Sequence, residues 1–247
     1  MSNINDNYFD GYYKDIWKTI IPAELTTREV DFMLSYFNLQ PGSKVLDIMC
    51  GYGRHAIALA EKGMEVTAVD NLGEYIDEII QKAQVQSLAI KAIKVDVAVY
   101  EAKDIFDLVI CMGNSLNFFP EKEVLNIFSH LSSRLKPGGY LLINSWSIAE
   151  IAIKTFKERS WSEINGIKFL SESFFLFHPT RTETKSIMIS PDGTTETKTG
   201  IDYIFSIAEL ERMLTQTGFT LKEVYSIPGK KKFALGEPRA YIIAEKL

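Results

Sequence analysis

Apolar and polar positions along the chain fall into two alternating patterns, short β-branched runs and longer stretches with helical spacing. The first clear run is Val45, Leu46, Asp47, Ile48 and Met49, which meets Gly51 and Gly53; Ala56, Ile57, Leu59 and Ala60 follow at helical spacing. This predicts a buried strand, a tight turn that needs glycine, and a helix whose N-terminus faces the turn. The rhythm then repeats. It predicts helices over 54–62, 75–84 and 121–135 and strands over 65–69, 92–95, 106–111 and 140–144. Strands alternating with helices argue for a parallel sheet covered on both faces. In such sheets ligands bind beyond the carboxyl ends of the strands.

Both flanks depart from this rhythm. Residues 1–40 are aromatic and acidic, with Tyr8, Phe9, Tyr12, Tyr13 and Trp17, and Thr26 with Glu29 resembles a capping box that opens a helix running to about residue 37. The aromatic segment is either a lid over the site or a helix packed on the sheet edge. Residues from about 150 to 205 contain strand-like stretches at 167–177, 183–189 and 195–203, the last two joined by the turn Ser190-Pro191-Asp192-Gly193. They are read as an antiparallel insert covering one side of the site, or as an extension of the sheet. A helix over 206–217 with Gly218 as its cap, then strands over 221–226 and 240–245, complete one domain spanning 1–247.

Composition narrows the function classes. The 247 residues carry a net charge of −5, so no overall basic field draws in nucleic acid. The single dense basic run, Lys230-Lys231-Lys232, reads as solvated loop. Cys50 and Cys111 both follow apolar runs and read as buried thiols in a reducing compartment, Cys50 as a small turn residue rather than a nucleophile. With no signal-peptide pattern and no apolar run near the roughly 20 residues that span a bilayer, a cytoplasmic protein without membrane contact is expected. Three scattered histidines give no metal-site spacing.

Asp47, Asp70, Asp96 and Asn114 all stand at predicted strand ends, where a ligand would lie. Asp70 follows the glycines by about twenty residues, the distance at which an acid meets ribose hydroxyls. Gly51-x-Gly53-x-x-Ala56 also satisfies the dinucleotide fingerprint, so an NAD-dependent oxidoreductase is one reading. Asp47 argues against it, because a carboxylate beside a pyrophosphate is repelled, whereas beside an ammonium it is attracted.

Taken in order, Asp47-x-x-Cys50-Gly51-Tyr52-Gly53-Arg54-His55, Asp70, Asp96, Phe106-Asp107-Leu108-Val109, Lys136-Pro137-Gly138-Gly139 and Gly218-Phe219 resemble the class I S-adenosylmethionine-dependent methyltransferases, in their small-molecule branch. The resemblance implies a Rossmann-like α/β fold: a seven-stranded, mostly parallel sheet with one antiparallel terminal strand. It implies S-adenosyl-L-methionine as cofactor and S-adenosyl-L-homocysteine as product. Gly51 and Gly53 would approach the methionine moiety, Asp70 the ribose, and Asp96 with the backbone of Val97 the adenine. Cys111, Met112 and Asn114 would line the cofactor beside the transferred methyl. Asp47, Cys50 and Asn71 complete the cofactor set, and Tyr13 or Tyr8 would close over it.

Methyl transfer from a sulfonium needs positioning and water exclusion more than a catalytic dyad, and none is visible. The loop Met112-Gly113-Asn114-Ser115 lacks the Asn/Asp-Pro-Pro acceptor motif of exocyclic-amine methyltransferases, and no Pro-Cys pair marks cytosine methylation. Phe118, Phe119, Trp146, Phe175, Phe177, His178 and Arg181 are the expected acceptor lining, with Arg239 at the mouth or paired on the surface. His55 is expected as a surface or packing residue, and Asn114 and Asn117 either serve the site or satisfy turn backbone. The expected partner is a small-molecule acceptor, the assembly a monomer or homodimer. A cofactor-binding protein that has lost catalysis is the remaining alternative.

Overall fold

A computed structural model describes residues 3–247. At its centre β1 (Lys44–Ile48) lies parallel between β2 (Glu65–Asp70) and β4 (Phe106–Cys111), with Val45 opposite both Val66 and Leu108. Alternate β1 residues point to opposite faces. Val45 joins Val30, Met33, Leu59 and Ile79 in a core beneath α2 (Ala23–Tyr36), α3 (Arg54–Glu61) and α4 (Gly73–Gln86). Leu46 and Ile48 join Phe128, Leu131, Met213 and Leu214 beneath α5 (Glu121–Arg134) and α7 (Ile207–Gln216) on the other face.

Beyond β2 lies β3 (Ile90–Lys94), and beyond β4 lie β5 (Leu135–Ser145), β12 (Ala240–Lys246), β10 (Phe219–Ile227) and the two-residue edge strand β11 (Lys231–Lys232). The chain therefore moves outward in one direction through β2 and β3 and in the other from β4. The crevice outside the carboxyl ends of β1 and β4 is the switch point where such sheets bind ligands. β12 runs antiparallel to β5, as expected, but β11 makes the sheet eight-stranded rather than seven-stranded.

After α6 (Ala149–Thr155) the chain builds a second sheet from β6 (Arg159–Ile164), β7 (Ile167–Phe177), β8 (Thr180–Ile189) and β9 (Thr195–Tyr203), antiparallel throughout. It pairs only with itself, so it does not extend the main sheet. β6 was not foreseen because its residues are exposed, apart from the half-buried Ile164, and carry no alternating apolar signal.

Before α1 (Tyr12–Ile20) comes a 3-10 turn, Ile4–Asn7, that lies across the end of the main sheet rather than along its edge. Asn5 Nδ2 donates to Ile201 O at 3.0 Å while Ile201 N donates to Asn5 Oδ1 at 2.8 Å, and Asn3 Nδ2 donates to Phe118 O at 3.0 Å. The segment thus touches the second sheet and the loop after β4. α2 starts one turn before the expected cap: Pro22, held extended at φ −65° and ψ 140°, serves as N-cap, and Thr26 lies inside the helix. Glu29, expected to reach back to that cap, turns inward instead. β5 also begins earlier than expected and runs through Lys136-Pro137-Gly138-Gly139, with a register shift opposite Phe106 and Leu108.

Candidate active site

The switch-point crevice opens into a cavity of about 220 Å³. Asp47, at the end of β1, is 1% exposed, and its Oδ2 has no hydrogen-bond partner among the described residues. Burial pushes its carboxyl up to about 8; Arg54 pulls the other way and Asp70 adds to the rise. An unsatisfied buried carboxylate oxygen on a cavity wall suits a cationic donor.

The turn after β1 gives its two glycines different tasks. Gly51, at φ +55°, faces open space, and its N–H donates to Asp70 Oδ2 at 2.8 Å. Gly53, at φ +76°, is packed: a Cβ there would stand 2.5 Å from Ile79 Cγ1. Gly53 does not line the cavity, which corrects the expectation that both glycines approach the ligand. It lets α3 and α4 close up.

Asp70 also accepts from Leu72 N at 3.0 Å, yet burial raises its carboxyl above the ordinary range. Asn71 Nδ2 donates to Asp6 Oδ1 at 2.8 Å and so ties this loop to the N-terminal segment. Asp96 accepts from Ala98 N at 2.9 Å, and Val97 lies beside it on the same wall. Cys50 lines the cavity, but burial, with Asp47 and Asp70 nearby, keeps its thiol protonated, which removes it as a nucleophile. Cys111 does not line it. The last residue of β4, it is fully buried in the core, with its thiol pushed up to about 12, so the strand delivers Met112 to the cavity one residue later.

Asn114, left-handed at φ +70°, lines the cavity and also pins the surrounding loops. Its Oδ1 accepts from Trp146 N at 2.9 Å and Ser147 N at 3.0 Å, and its Nδ2 donates to Ser147 Oγ and Asp202 Oδ1, both at 2.9 Å. Asn117 Nδ2 donates to Tyr203 O at 2.7 Å, a backbone role.

The cavity also has an aromatic lining. Tyr13 lies between Tyr8, at 5.0 Å between ring centroids, and Trp17, at 6.1 Å. Phe9 meets Phe118 at 4.6 Å and Trp17 meets Trp146 at 5.5 Å, with the Arg239 guanidinium 5.7 Å from the Trp146 ring. Phe118, Phe119, Trp146 and Arg239 therefore line the cavity as expected. Phe177, His178 and Arg181 do not. They sit at the β7–β8 turn, beyond the part of the insert that meets the cavity: Phe177 is 69% exposed and Arg181 Nε donates to Glu183 Oε1 at 2.8 Å. Phe175 packs on Phe156 and Phe177 instead.

Two acids escaped the sequence reading. Asp202, on β9, is a half-buried cavity carboxylate pushed up to about 6 by desolvation, against hydrogen bonds from Ser147 and Asn114. Its signal was one acid inside Ile201-Asp202-Tyr203-Ile204-Phe205. Glu29 is 1% exposed and takes Arg54 Nη1 at 2.6 Å, Tyr241 OH at 2.6 Å and His55 Nε2 at 2.9 Å. Burial opposes its charge, but these partners outweigh it and hold the carboxyl below its ordinary range. Burial, then Arg54, lowers His55, which stays neutral and donates to Glu29. His55 is a packing residue that fixes the start of α3.

Five aspartates and two arginines line the cavity, a balance that suits a ligand bearing positive charge. The free Asp47 oxygen fits an ammonium, the open face of Gly51 admits a close backbone approach, and Asp70 and Asp96 offer carboxylates further along. Strand-end acids around a glycine turn at the switch point define a nucleotide-type cofactor site, of the kind expected for S-adenosylmethionine.

Known proteins agree. Residues 45–139 match the family model described as a methyltransferase domain. YqeM of Bacillus subtilis (strain 168), assigned as a methyltransferase, is 32% identical over 203 residues, which cover 76% of this chain and 77% of that protein. A protein of Geobacillus sp. (strain WCH70) with the same assignment is 28% identical over 246 residues, 96% of this chain and 98% of its own. The fold is shared with an S-adenosylmethionine-dependent methyltransferase from Clostridium acetobutylicum ATCC 824 at a TM-score of 0.81 and 18% identity, covering 97% and 98% of the two chains. This chain belongs to the methyltransferases, it shares its fold with an S-adenosylmethionine-dependent one, and these likenesses do not favour the NAD-dependent reading of its glycine fingerprint.

Proposed function

We propose that this methyltransferase acts on a small molecule held in the aromatic half of the cavity, with the cofactor in the acidic half. One observation carries the reading: a single cavity is lined both by strand-end acids and by aromatic side chains of the N-terminal segment and of the loops after β4 and β5. On the cofactor side Asp47 receives the ammonium and Gly51 and Cys50 border the methionine moiety. Asp70 with Asn71 takes the ribose, Asp96 with Val97 the adenine, and Met112 and Asn114 border the sulfonium. When bound, S-adenosylmethionine supplies an activated methyl whose C–S bond breaks in line, the electron pair staying on sulfur, with S-adenosylhomocysteine as product.

The protein's own part is to orient the two ligands and exclude water. Of the N-terminal 40 residues only the aromatic segment up to about residue 20 acts as the lid, with Tyr13 inside it, because α2 packs on the main sheet; residues from about 150 to 205 act as the cover, all within one domain of 1–247. A narrow, acidic lining disfavours a nucleic-acid substrate, whose phosphates need cationic neutralisation. Among the described residues no helix is long and apolar enough to cross a membrane. We assign a cytoplasmic location and a monomer or homodimer.

The test is to incubate the protein with S-adenosylmethionine and one of three acceptor classes: small amines, phenols and thiols; oligonucleotides; or unfolded protein. Formation of S-adenosylhomocysteine only with small molecules is expected. Turnover confined to oligonucleotides or protein overturns the reading.

A further inference from the structure

We propose that Asp202 holds the ammonium of an amine acceptor and takes its proton, making this chain an amine N-methyltransferase; the inference rests on the reading that the acceptor fills the aromatic half. Asp202 reaches the cavity from β9 of the insert, whereas the acids assigned to the cofactor follow strands of the main sheet. Asn114 occupies its Oδ1 at 2.9 Å, with Ser147 Oγ at the longer distance of 3.5 Å, and among the described residues its Oδ2 makes no hydrogen bond and no cation pairs with it. Arg54 is committed to Glu29, and the Arg239 guanidinium stacks on Trp146.

A half-buried carboxylate without a counter-cation loses part of its hydration, and a ligand that brings a cation into the cavity replaces it. The rings beside it strengthen this reading, since Tyr8 and Tyr13 lie close enough to Asp202 for their hydroxyls to feel its charge, and Trp17 and Trp146 extend the wall. Aromatic faces with one carboxylate recognise a compact cation that carries N–H donors. A hydroxyl acceptor would offer one hydrogen bond and leave the charge unbalanced.

Before attack the nitrogen must lose a proton. The ammonium N–H bond breaks, its electron pair stays on nitrogen as the lone pair, and the proton forms an O–H bond at Asp202 Oδ2. The neutral carboxyl later returns that proton to water. Burial already raises the Asp202 carboxyl to about 6, which suits a group that must exchange a proton near neutrality.

The experiment titrates the complex with S-adenosylhomocysteine using benzylamine, methylamine and glucosamine against benzyl alcohol, methanol and glucose, following tryptophan fluorescence. Turnover with S-adenosylmethionine is measured in parallel, on wild type and Asp202→Asn. At least one amine, and none of the alcohols, is expected to bind. Asp202→Asn should weaken that binding by about 10- to 100-fold, with S-adenosylmethionine affinity unchanged and the melting temperature not lowered. Amine binding that survives the substitution overturns the proposal while leaving the small-molecule reading intact. So does alcohol binding in its place, failure of every amine to bind, or loss of cofactor affinity in the variant. Turnover restricted to macromolecules overturns both.

Discussion

Asn114 Nδ2 donates to Asp202 Oδ1 at 2.9 Å, joining the loop after β4 to the edge strand of the second sheet. The same side chain accepts from the backbone of Trp146 and Ser147, so one amide fixes three segments around the cavity. Asn114→Ala strands buried donors, each worth about 1–3 kcal/mol when unsatisfied. We expect a loss of about 2–3 kcal/mol, read as a melting temperature lower by roughly 5–10 °C. An unchanged melting temperature would show that water replaces the amide.

The turn glycines should separate in their effects. Gly53→Ala meets Ile79 as well as a positive φ and should cost about 2–4 kcal/mol. Gly51→Ala has open space and only the backbone strain of about 1–3 kcal/mol, but it puts a methyl group into the cofactor half of the cavity. Chemical unfolding should therefore single out Gly53→Ala, and S-adenosylmethionine titration Gly51→Ala. The reverse order would contradict the packing described.

Acid should weaken the Glu29 cluster. Glu29 sits below its ordinary value of 4.5 in the folded protein, so its stabilisation is full above that pH and is lost as pH falls through the lower folded value. His55, lowered from 6.5, acts in the same sense, beginning to lose its contribution nearer neutrality because the unfolded chain takes the proton first. Glu29→Gln should be markedly less stable than wild type at neutral pH, and denaturant midpoints should converge as pH drops below 4.5. A pH-independent gap would mean that the carboxylate charge contributes nothing.

Asp47, pushed up to about 8, is largely protonated at neutral pH before any ligand arrives. An ammonium against its Oδ2 favours the carboxylate, so cofactor binding should release up to about one proton per protein. Calorimetric heats at pH 7 should then vary with the ionisation enthalpy of the buffer, and Asp47→Asn should remove that dependence. Buffer-independent heats would place the ammonium elsewhere.

The strand-end acids were legible because Asp47, Asp70 and Asp96 each follow an apolar run, and a parallel strand turns its carboxyl end toward the ligand edge. That logic failed by one residue at Cys111, the last residue of β4, whose side chain packs in the core while Met112 meets the cavity, and at Gly53, where a glycine that reads as ligand approach answers the bulk of Ile79. In the insert it had little purchase. An antiparallel hairpin has no fixed ligand end, so Phe177, His178 and Arg181 looked equivalent to residues nearer the cavity, and Asp202 looked like one strand acid among several. Glu29 was misplaced because a capping pattern and a buried ion network use the same residue types.

The most direct test is calorimetric titration of wild type and Asp70→Ala with S-adenosylmethionine and with NAD, melting temperatures measured alongside. Asp70 both borders the cavity and holds Gly51 N–H, so its loss should weaken S-adenosylmethionine by about 10- to 100-fold in a protein that still unfolds cooperatively, with no NAD binding to either form. Equal affinity in the two proteins, or saturable NAD binding, would contradict the assignment of this cavity to the methyl donor.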